Sequence, residues 1–471
     1  MNADGDTDSG DLADEGRARE LLLARIEELE RQNVALVQRA ADERRRLAEA
    51  HRRIQAMGRA GHAWMLVRRT VRRPWRAYRF PGELMRIFRG LVPEPPSRPA
   101  TVETPDVAAA RRAAGAREES ARRRTAIVAA ERGRPARPSA GLRVAAIGDP
   151  WLLDALAPVC QLVPLTPADW RMTLERIVPD ILLVQTAWDG PSGVWQYRLA
   201  WHPFHESLRL DAVRQISTWC LDRGVPRVLW DTEPLDRWPR FKALAGLVDH
   251  VAAADADAAD AYRSLPTSTA ASVSVVPVGI GPPPAFPAPV ETLPIPLFVG
   301  EGRTDLPLDR REALDRMLAA GALAGAAVCD LAGTTEPERY RLTADACDRR
   351  IAPTADRRIR ETVARYAVAL LDGGGPRPGA AVPRLALEAL AAGTPVVTTH
   401  SPALVALLGD LVMEGDTVAE LSAAIEAARS PIHRERIRAA VDMLHAEHGI
   451  QRRLARITGS VGLNVDWEAA G

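Results

Sequence analysis

An apolar run over residues 367–371 leads into Asp372-Gly373-Gly374-Gly375-Pro376, and a helix is expected to begin near Pro383. Glycines ahead of a helix N-terminus let backbone N–H groups approach a phosphate, and the helix dipole favours its charge. Gly373 and Gly374 are the candidates for that contact, and Pro383 occupies a favoured first-turn place. On the same helix Arg384 and Glu388 are four residues apart and share a face. A surface ion pair is the simplest use of that spacing. Yet Arg before Glu is the weaker order, and Arg at a helix start opposes the dipole. A bound diphosphate removes the conflict and leaves Glu388 to accept hydrogen bonds from a ribose. Gly393 caps the helix, and Thr394 leads into a buried strand at 395–399.

Residues of this kind need a rigid frame, and the rest of the chain supplies one. With 471 residues it is too long for one ordinary domain. Apolar residues make up 46% and charged residues 26%, which excludes wholesale disorder. Lys and Arg number 62 against 61 Asp and Glu, so the chain is no polycation built for nucleic acid. From Leu142 onward, apolar runs alternate with helical patterns. Strands are expected at 144–147, 161–165, 181–186, 227–231, 250–253 and 273–278, with helices at 151–159, 168–177, 211–223 and 254–264. A Pro cluster at 282–289 separates a second series. Its strands fall at 296–299, 327–331, 367–371, 395–399 and 411–413, and its helices at 310–320, 357–366, 384–392, 418–428 and 431–457. Unbroken apolar strands alternating with helices predict parallel sheets covered on both faces. The expected fold is therefore α/β, with two Rossmann-like domains at 142–290 and 295–460 and a cleft between their carboxyl edges.

Ahead of this body lie an acidic tail (1–16), a heptad segment (17–57), a basic-aromatic segment (58–91) and a Pro-, Ala- and Arg-rich stretch (92–140) taken as a flexible linker. In the heptads Ile26, Asn33, Ala40, Leu47 and Ile54 share one seam position and Leu22, Leu29 and Leu36 the other. A polar Asn33 at the seam sets register and favours two parallel strands, so a homodimeric coiled coil is expected. Residues 59–91 hold nine Arg against one acidic residue, Glu83, among Trp64, Trp75, Tyr78, Phe80 and Phe88. That composition suits an anionic membrane surface or packing on the protein itself, with nucleic acid a lesser fit. No stretch is apolar enough to span a bilayer, and the acidic start is the reverse of a signal peptide. A cytoplasmic protein, peripheral at the inner face of the membrane, is the expectation. Cys160, Cys220, Cys329 and Cys347 match no redox or zinc spacing, so no metal is expected.

The segment from Pro383 to Val397, with Arg384, Glu388, Gly393 and Thr394, resembles the donor-nucleotide segment of GT-B glycosyltransferases. Gln185-Thr186-Ala187-Trp188-Asp189-Gly190 with Trp195 resembles the Glu-Ser-Ala-Trp-x-Gly…Trp segment of CgeB-like (spore-maturation type) members. Val228-Leu229-Trp230-Asp231-Thr232-Glu233-Pro234 is similar to their Phe-Trp-Asn-x-Glu-Asp segment, and Val248-Asp249-His250-Val251 to their Phe-Asp-His stretch. Phe298-Val299-Gly300-Glu301-Gly302-Arg303, followed by Arg310-Arg311, stands where they have Phe-x-Gly and a following Arg. Gln185 replaces their usual Glu and Asp231 their usual Asn. Ala380 stands where many retaining members carry a second Glu.

The resemblance implies a nucleotide-sugar donor in the second half, bound by Gly300, Gly302, Arg303, Gly373, Gly374, Arg384, Glu388, Gly393 and Thr394, with no separate cofactor. Arg303 and Arg384 would stabilise the leaving diphosphate. It also implies a glycan or lipid-linked acceptor in the first half. Asp189 and Glu233 are then the candidate bases for its hydroxyl, with Trp188, Trp195 and Trp230 on the acceptor side. Loop capping by Asp189 and a buried hydrogen bond by Glu233 are the plainer roles. His202 and His205 are outsiders. Two other readings share these residues: a degenerate, non-catalytic GT-B scaffold, and a nucleotide-sugar epimerase.

Overall fold

Apolar runs without polar alternation are satisfied only in sheets covered on both faces, and two such sheets form. The computed structural model describes residues 105–131, 136–201, 210–282, 292–300, 308–331, 350–351, 359–375 and 382–467. The expected tail, coiled coil and basic-aromatic segment lie outside the described residues. The N-terminal domain runs α1 (Pro105–Glu131), β1 (Arg137–Pro138), β2 (Arg143–Ile147), α2 (Pro150–Leu156), β3 (Gln161–Pro164), α3 (Trp170–Arg176), β4 (Ile181–Gln185), α4 (Asp211–Asp222), β5 (Arg227–Asp231), α5 (Trp238–Phe241), β6 (His250–Ala253), α6 (Ala256–Arg263) and β7 (Ser272–Val275). Its six-stranded sheet is ordered β3-β2-β4-β5-β6-β7 and is parallel throughout. The strand order reverses between β2 and β4.

The C-terminal domain runs β8 (Leu293–Gly300), α7 (Leu308–Leu323), β9 (Ala327–Asp330), β10 (Arg350–Ile351), α8 (Ile359–Val363), β11 (Tyr366–Leu371), α9 (Arg384–Ala391), β12 (Val396–Thr399), α10 (Pro402–Leu408), β13 (Val412–Gly415), α11 (Val418–Ala428) and α12 (Pro431–His448). Its six parallel strands are ordered β10-β9-β8-β11-β12-β13. Counted within the domain this is 3-2-1-4-5-6, the order of dinucleotide-binding folds, with its reversal between β8 and β11. The chain therefore folds into two Rossmann-like α/β domains, the arrangement called GT-B. Among the described residues no helix is long and apolar enough to cross a membrane.

Two findings depart from the sequence expectation. The helix expected over 431–457 breaks at Gly449, and α13 (Ile450–Ser460) returns to the N-terminal domain. Ile450, Leu454, Ile457 and Val461 form its apolar stripe and pack with Leu142, Val144, Leu152 and Leu156. The short strand β14 (Val465–Asp466) then pairs in parallel with β1. The break lies where the chain crosses between domains. Ile280 N–H donates to His448 O and Ile450 N–H to Ile280 O, both at 2.8 Å, so the two passes of the chain are tied together.

The second departure corrects the flexible linker, because α1 occupies 27 residues of it and docks on the N-terminal domain. Arg117 donates to the carbonyls of Ser268 (2.7 Å) and Leu265 (2.8 Å), and the Ser120 hydroxyl donates to Asp249 at 2.8 Å. Asp249 also receives a bidentate pair from Arg227, at 2.8 and 2.6 Å. Burial alone would raise the Asp249 carboxyl, but the hydrogen bonds and charge of Arg227 outweigh it and hold it below the usual range. Next to it, His250 is hydrogen-bonded to Ser272 and Ser274, and burial lowers it to about 4. Asp249 and His250 thus serve the amino-terminal end of the sheet, opposite the cleft.

Candidate active site

The two reversals of strand order face each other across a cleft of about 520 Å³. Its N-terminal wall is built from the residues that follow β2, β4 and β5. Gln185, the last residue of β4, is buried and works as a strut. Its Oε1 accepts the backbone N–H of Asp149 at 2.8 Å, and its Nε2 donates to Thr232 Oγ1 at 3.0 Å. All three βα turns are thereby fixed to one side chain.

Beneath them lies Asp231, fully buried at the end of β5. Its Oδ1 accepts the Thr186 hydroxyl and the backbone N–H of Glu233, each at 3.1 Å. Burial, only partly offset by the Tyr262 hydroxyl and the other donors, pushes this carboxyl up to about 7. Above it, Glu233 pairs with Arg237 at 2.9 Å, and that guanidinium lies 5.8 Å from the Trp188 ring centroid. Trp188 meets Phe241 edge to face at 5.1 Å. Gly190 turns the chain at φ 64°, and a Cβ there would lie 2.7 Å from the Trp195 ring, so only glycine fits.

The C-terminal wall is made where β8 and β11 end and where α7 and α9 begin. Arg310 donates from Nε to Asp372 Oδ2 at 2.8 Å, and its Nη1 lies 3.6 Å from Asp236 Oδ2 in the other domain. The Arg384 guanidinium stacks 4.7 Å from the Trp151 ring centroid, again across the cleft. Gly374 N–H turns back to Asp372 Oδ1 at 3.0 Å. The lining thus sets Asp149, Asp189 and Glu233 with Arg237 on one side against Arg310 and Arg384 with Asp372 on the other.

Of the residues singled out in the sequence, Asp189, Glu233, Trp188, Gly300, Gly374 and Arg384 come together on the cleft walls. Gly302 and Arg303 lie outside the described residues, as do His202 and His205. The others are placed elsewhere, each for a physical reason. Trp195 and Trp230 are fully buried, their indole N–H groups donating to Leu165 O and Val276 O at 3.0 Å each. Gly373 packs under β12, where a Cβ would stand 2.4 Å from Thr399 O, and its N–H donates to Thr399 Oγ1 at 2.9 Å. Gly393 and Thr394 close the far end of α9, donating to Leu390 O (2.9 Å) and Ala389 O (3.0 Å) in a Schellman cap. Glu388 is 7% exposed and lies behind the wall, with Arg360 Nε donating to its Oε2 at 2.6 Å.

Sequence reasoning passed over Asp149, Trp151, Thr232, Arg237, Arg310 and Asp372 as site residues. Gly148-Asp149-Pro150 directly follows the first strand of its domain, and the rule that ligands sit at the reversal of strand order marks that turn. Arg237 stands four residues after Glu233, the spacing of a helical ion pair.

Solved structures match the chain at low similarity. The chain resembles a DNA-modifying β-glucosyltransferase solved in the presence and absence of uridine diphosphoglucose, with 10% identity over 68% of this chain and 100% of that one, TM-score 0.43. It also resembles sucrose-phosphate synthase from Thermosynechococcus elongatus (14% identity, 68% and 100% covered, TM-score 0.39). A third is S. aureus MnaA in a UDP co-structure (12% identity, 69% and 98% covered, TM-score 0.35). No family model and no curated protein matches the chain.

Proposed function

We propose that the protein is a glycosyltransferase that moves a sugar from a nucleotide diphosphate held by the C-terminal domain to a hydroxyl presented by the N-terminal domain. The observation that carries this reading is the opposition of two walls at facing strand reversals, one rich in carboxylates and the other bearing Arg310 and Arg384. In the transfer, the bond between the sugar's anomeric carbon and the diphosphate oxygen breaks, and a bond from that carbon to the acceptor oxygen forms. The hydroxyl proton passes to a carboxylate of the N-terminal wall, Asp189 or Glu233. The charge left on the diphosphate is met by the two guanidinium groups of the C-terminal wall. The ribose reaches Glu388 Oε1, the oxygen that Arg360 does not hold, once Arg384 moves off it. The nucleotide sugar is a co-substrate, and no other cofactor enters the scheme.

The acceptor is a surface polysaccharide or a lipid-linked glycan. The nine Arg and the aromatics of 59–91 support placement on an anionic membrane at its cytoplasmic face, and the heptads of 17–57 support a homodimer. Relatedness to the CgeB-like members rests on the motifs around Trp188 and Glu233.

Calorimetry of the protein with uridine, guanosine, thymidine and adenosine diphosphates, and with their sugars, tests the reading. One base is expected to bind, with the binding lost in Arg384→Ala and Arg310→Ala. Silence of the folded protein across the whole set would sink the transferase and leave a scaffold.

A further inference from the structure

Arg360 lies on α8, a five-residue helix, and is 6% exposed. Besides the bond from Nε to Glu388, its Nη2 also meets the Glu388 carboxylate. The terminal nitrogens reach further. Nη1 donates to Pro282 O and Nη2 to Gly281 O, both at 3.0 Å. One planar group therefore joins the carboxylate of α9 to the first pass of the chain between the domains. A guanidinium suits this task because its donors form a rigid fork, whereas an ammonium is a single point charge.

The connection closes on itself. A Cβ placed on Gly281 would stand 3.4 Å from Ala155 Cβ, so that pass lies directly on α2. Ala155 is one helical turn beyond Trp151, and Trp151 carries the Arg384 guanidinium. Arg384 Nη1 in turn lies 3.9 Å from Glu388 Oε1. Glu388 thus stands between two arginines, and each of them touches something that belongs to the other domain or to the pass leading there. A buried ion pair adds little net stability compared with a packed apolar pair. Its place at the crossing points to position, not to stability.

Resting on the nucleotide reading of the cleft given above, we propose that Arg360 is a positioning residue that orients Glu388 and ties it to Gly281 and Pro282, coupling nucleotide binding to the setting of the two domains. A diphosphate that draws Arg384 off Trp151 changes the charge facing Glu388 Oε1. Ribose hydroxyls on that oxygen change it again. Both changes reach the carbonyls of Gly281 and Pro282 through the guanidinium on Oε2.

The test follows amide exchange in peptides covering 276–282 and 448–451 of the full chain, in the wild type, Arg360→Lys and Glu388→Gln. Each protein is measured alone and with saturating uridine diphosphate, or whichever of the other three diphosphates binds. Without nucleotide, both variants are expected to exchange about tenfold faster in these peptides, with β4 unchanged. With nucleotide, the wild-type peptides slow. Arg360→Lys, which keeps a charge beside Glu388 but cannot reach both carbonyls, is expected to bind within about threefold of wild type and to show no slowing there. Unchanged exchange in both variants without nucleotide overturns the mechanical tie. Equal slowing in wild type and Arg360→Lys overturns the coupling while leaving the nucleotide reading intact. A folded wild type that binds none of the four overturns both. Should Arg360→Lys not fold, Glu388→Gln keeps the shape of the side chain and carries the same comparison.

Discussion

The two walls of the cleft hold their charges in different ways. On the N-terminal wall the ties that set the carboxylates lie within one domain: Gln185 spans Asp149 and Thr232, Asp231 supports Glu233, and Arg237 pairs with Glu233. On the C-terminal wall the two guanidinium groups reach across, Arg310 to Asp236 and Arg384 to Trp151. The first wall is tied within its own domain, whereas the second adds contacts that cross the cleft to its own bond between Arg310 and Asp372. An acceptor site that must hold a hydroxyl and a base in line gains from the first arrangement. A donor site that must admit and release a charged leaving group gains from the second.

The difference can be broken from either side. The largest effect is expected at the fixed wall: of Asp189→Asn and Glu233→Gln, the one that removes the base should lower turnover about 10²–10⁴-fold, and the other less than about tenfold. Steady-state kinetics with the donor found by calorimetry decides between them, and full activity in both would remove catalysis from that wall. On the adjustable wall, Arg310→Ala and Arg384→Ala are each expected to cost about 10²–10³ in turnover. Loss of diphosphate affinity with an unchanged urea-unfolding midpoint in the same variants would separate this from a folding defect.

Asp231 sharpens the contrast through pH. Its folded value of about 7 lies above the ordinary 3.8, so between those values the folded protein keeps a proton that the unfolded chain has lost. The contribution of Asp231 to stability is therefore full below about pH 4 and is lost as the pH rises through about 7, while His250, held down by burial, changes stability in the opposite sense. Asp231→Asn keeps an oxygen for Thr186 and Glu233 but carries no charge to bury. It is expected to match the wild type near pH 4 and to exceed it by about 2–4 kcal/mol near pH 8.5, read from urea unfolding at each pH. A difference between Asp231→Asn and the wild type that stays constant over this range would refute the assignment. The smallest effect falls on the stack between domains. Trp151→Leu should lower stability by about 2 kcal/mol, through lost packing of a buried ring together with the lost cation–π contact. A larger loss would mean that Trp151 holds the domains together instead of lending Arg384 a resting place.

Much of the frame was legible because its signal is local. The strands at 181–185, 227–231 and 250–253 carry apolar runs at 181–184, 228–230 and 251–253 with polar residues only at their ends, and their length and flanks suffice to place them. The shared face of Arg384 and Glu388 followed from spacing alone. What Glu388 touches did not, since Arg360 is 28 residues away and reads as one charged residue on a short surface helix. Trp188 and Trp230 looked alike in sequence, yet one stands in a turn at the cleft and the other points into the core from within β5. The docking of helix α1 was hidden for a different reason. It docks through Arg117 and Ser120, not through an apolar stripe, so its composition resembles a solvated linker.

The helix that closes the molecule also sets the order in which it is finished. Leu142, Val144 and Ile181 lie in the half of the chain translated first, but Ile450, Leu454 and Ile457, which cover them, come after the whole second domain has been made. On the ribosome, then, the first domain waits with one apolar flank bare while its neighbour is synthesised. For that interval these apolar side chains lack their native cover, and the core is completed only when α13 has left the exit tunnel.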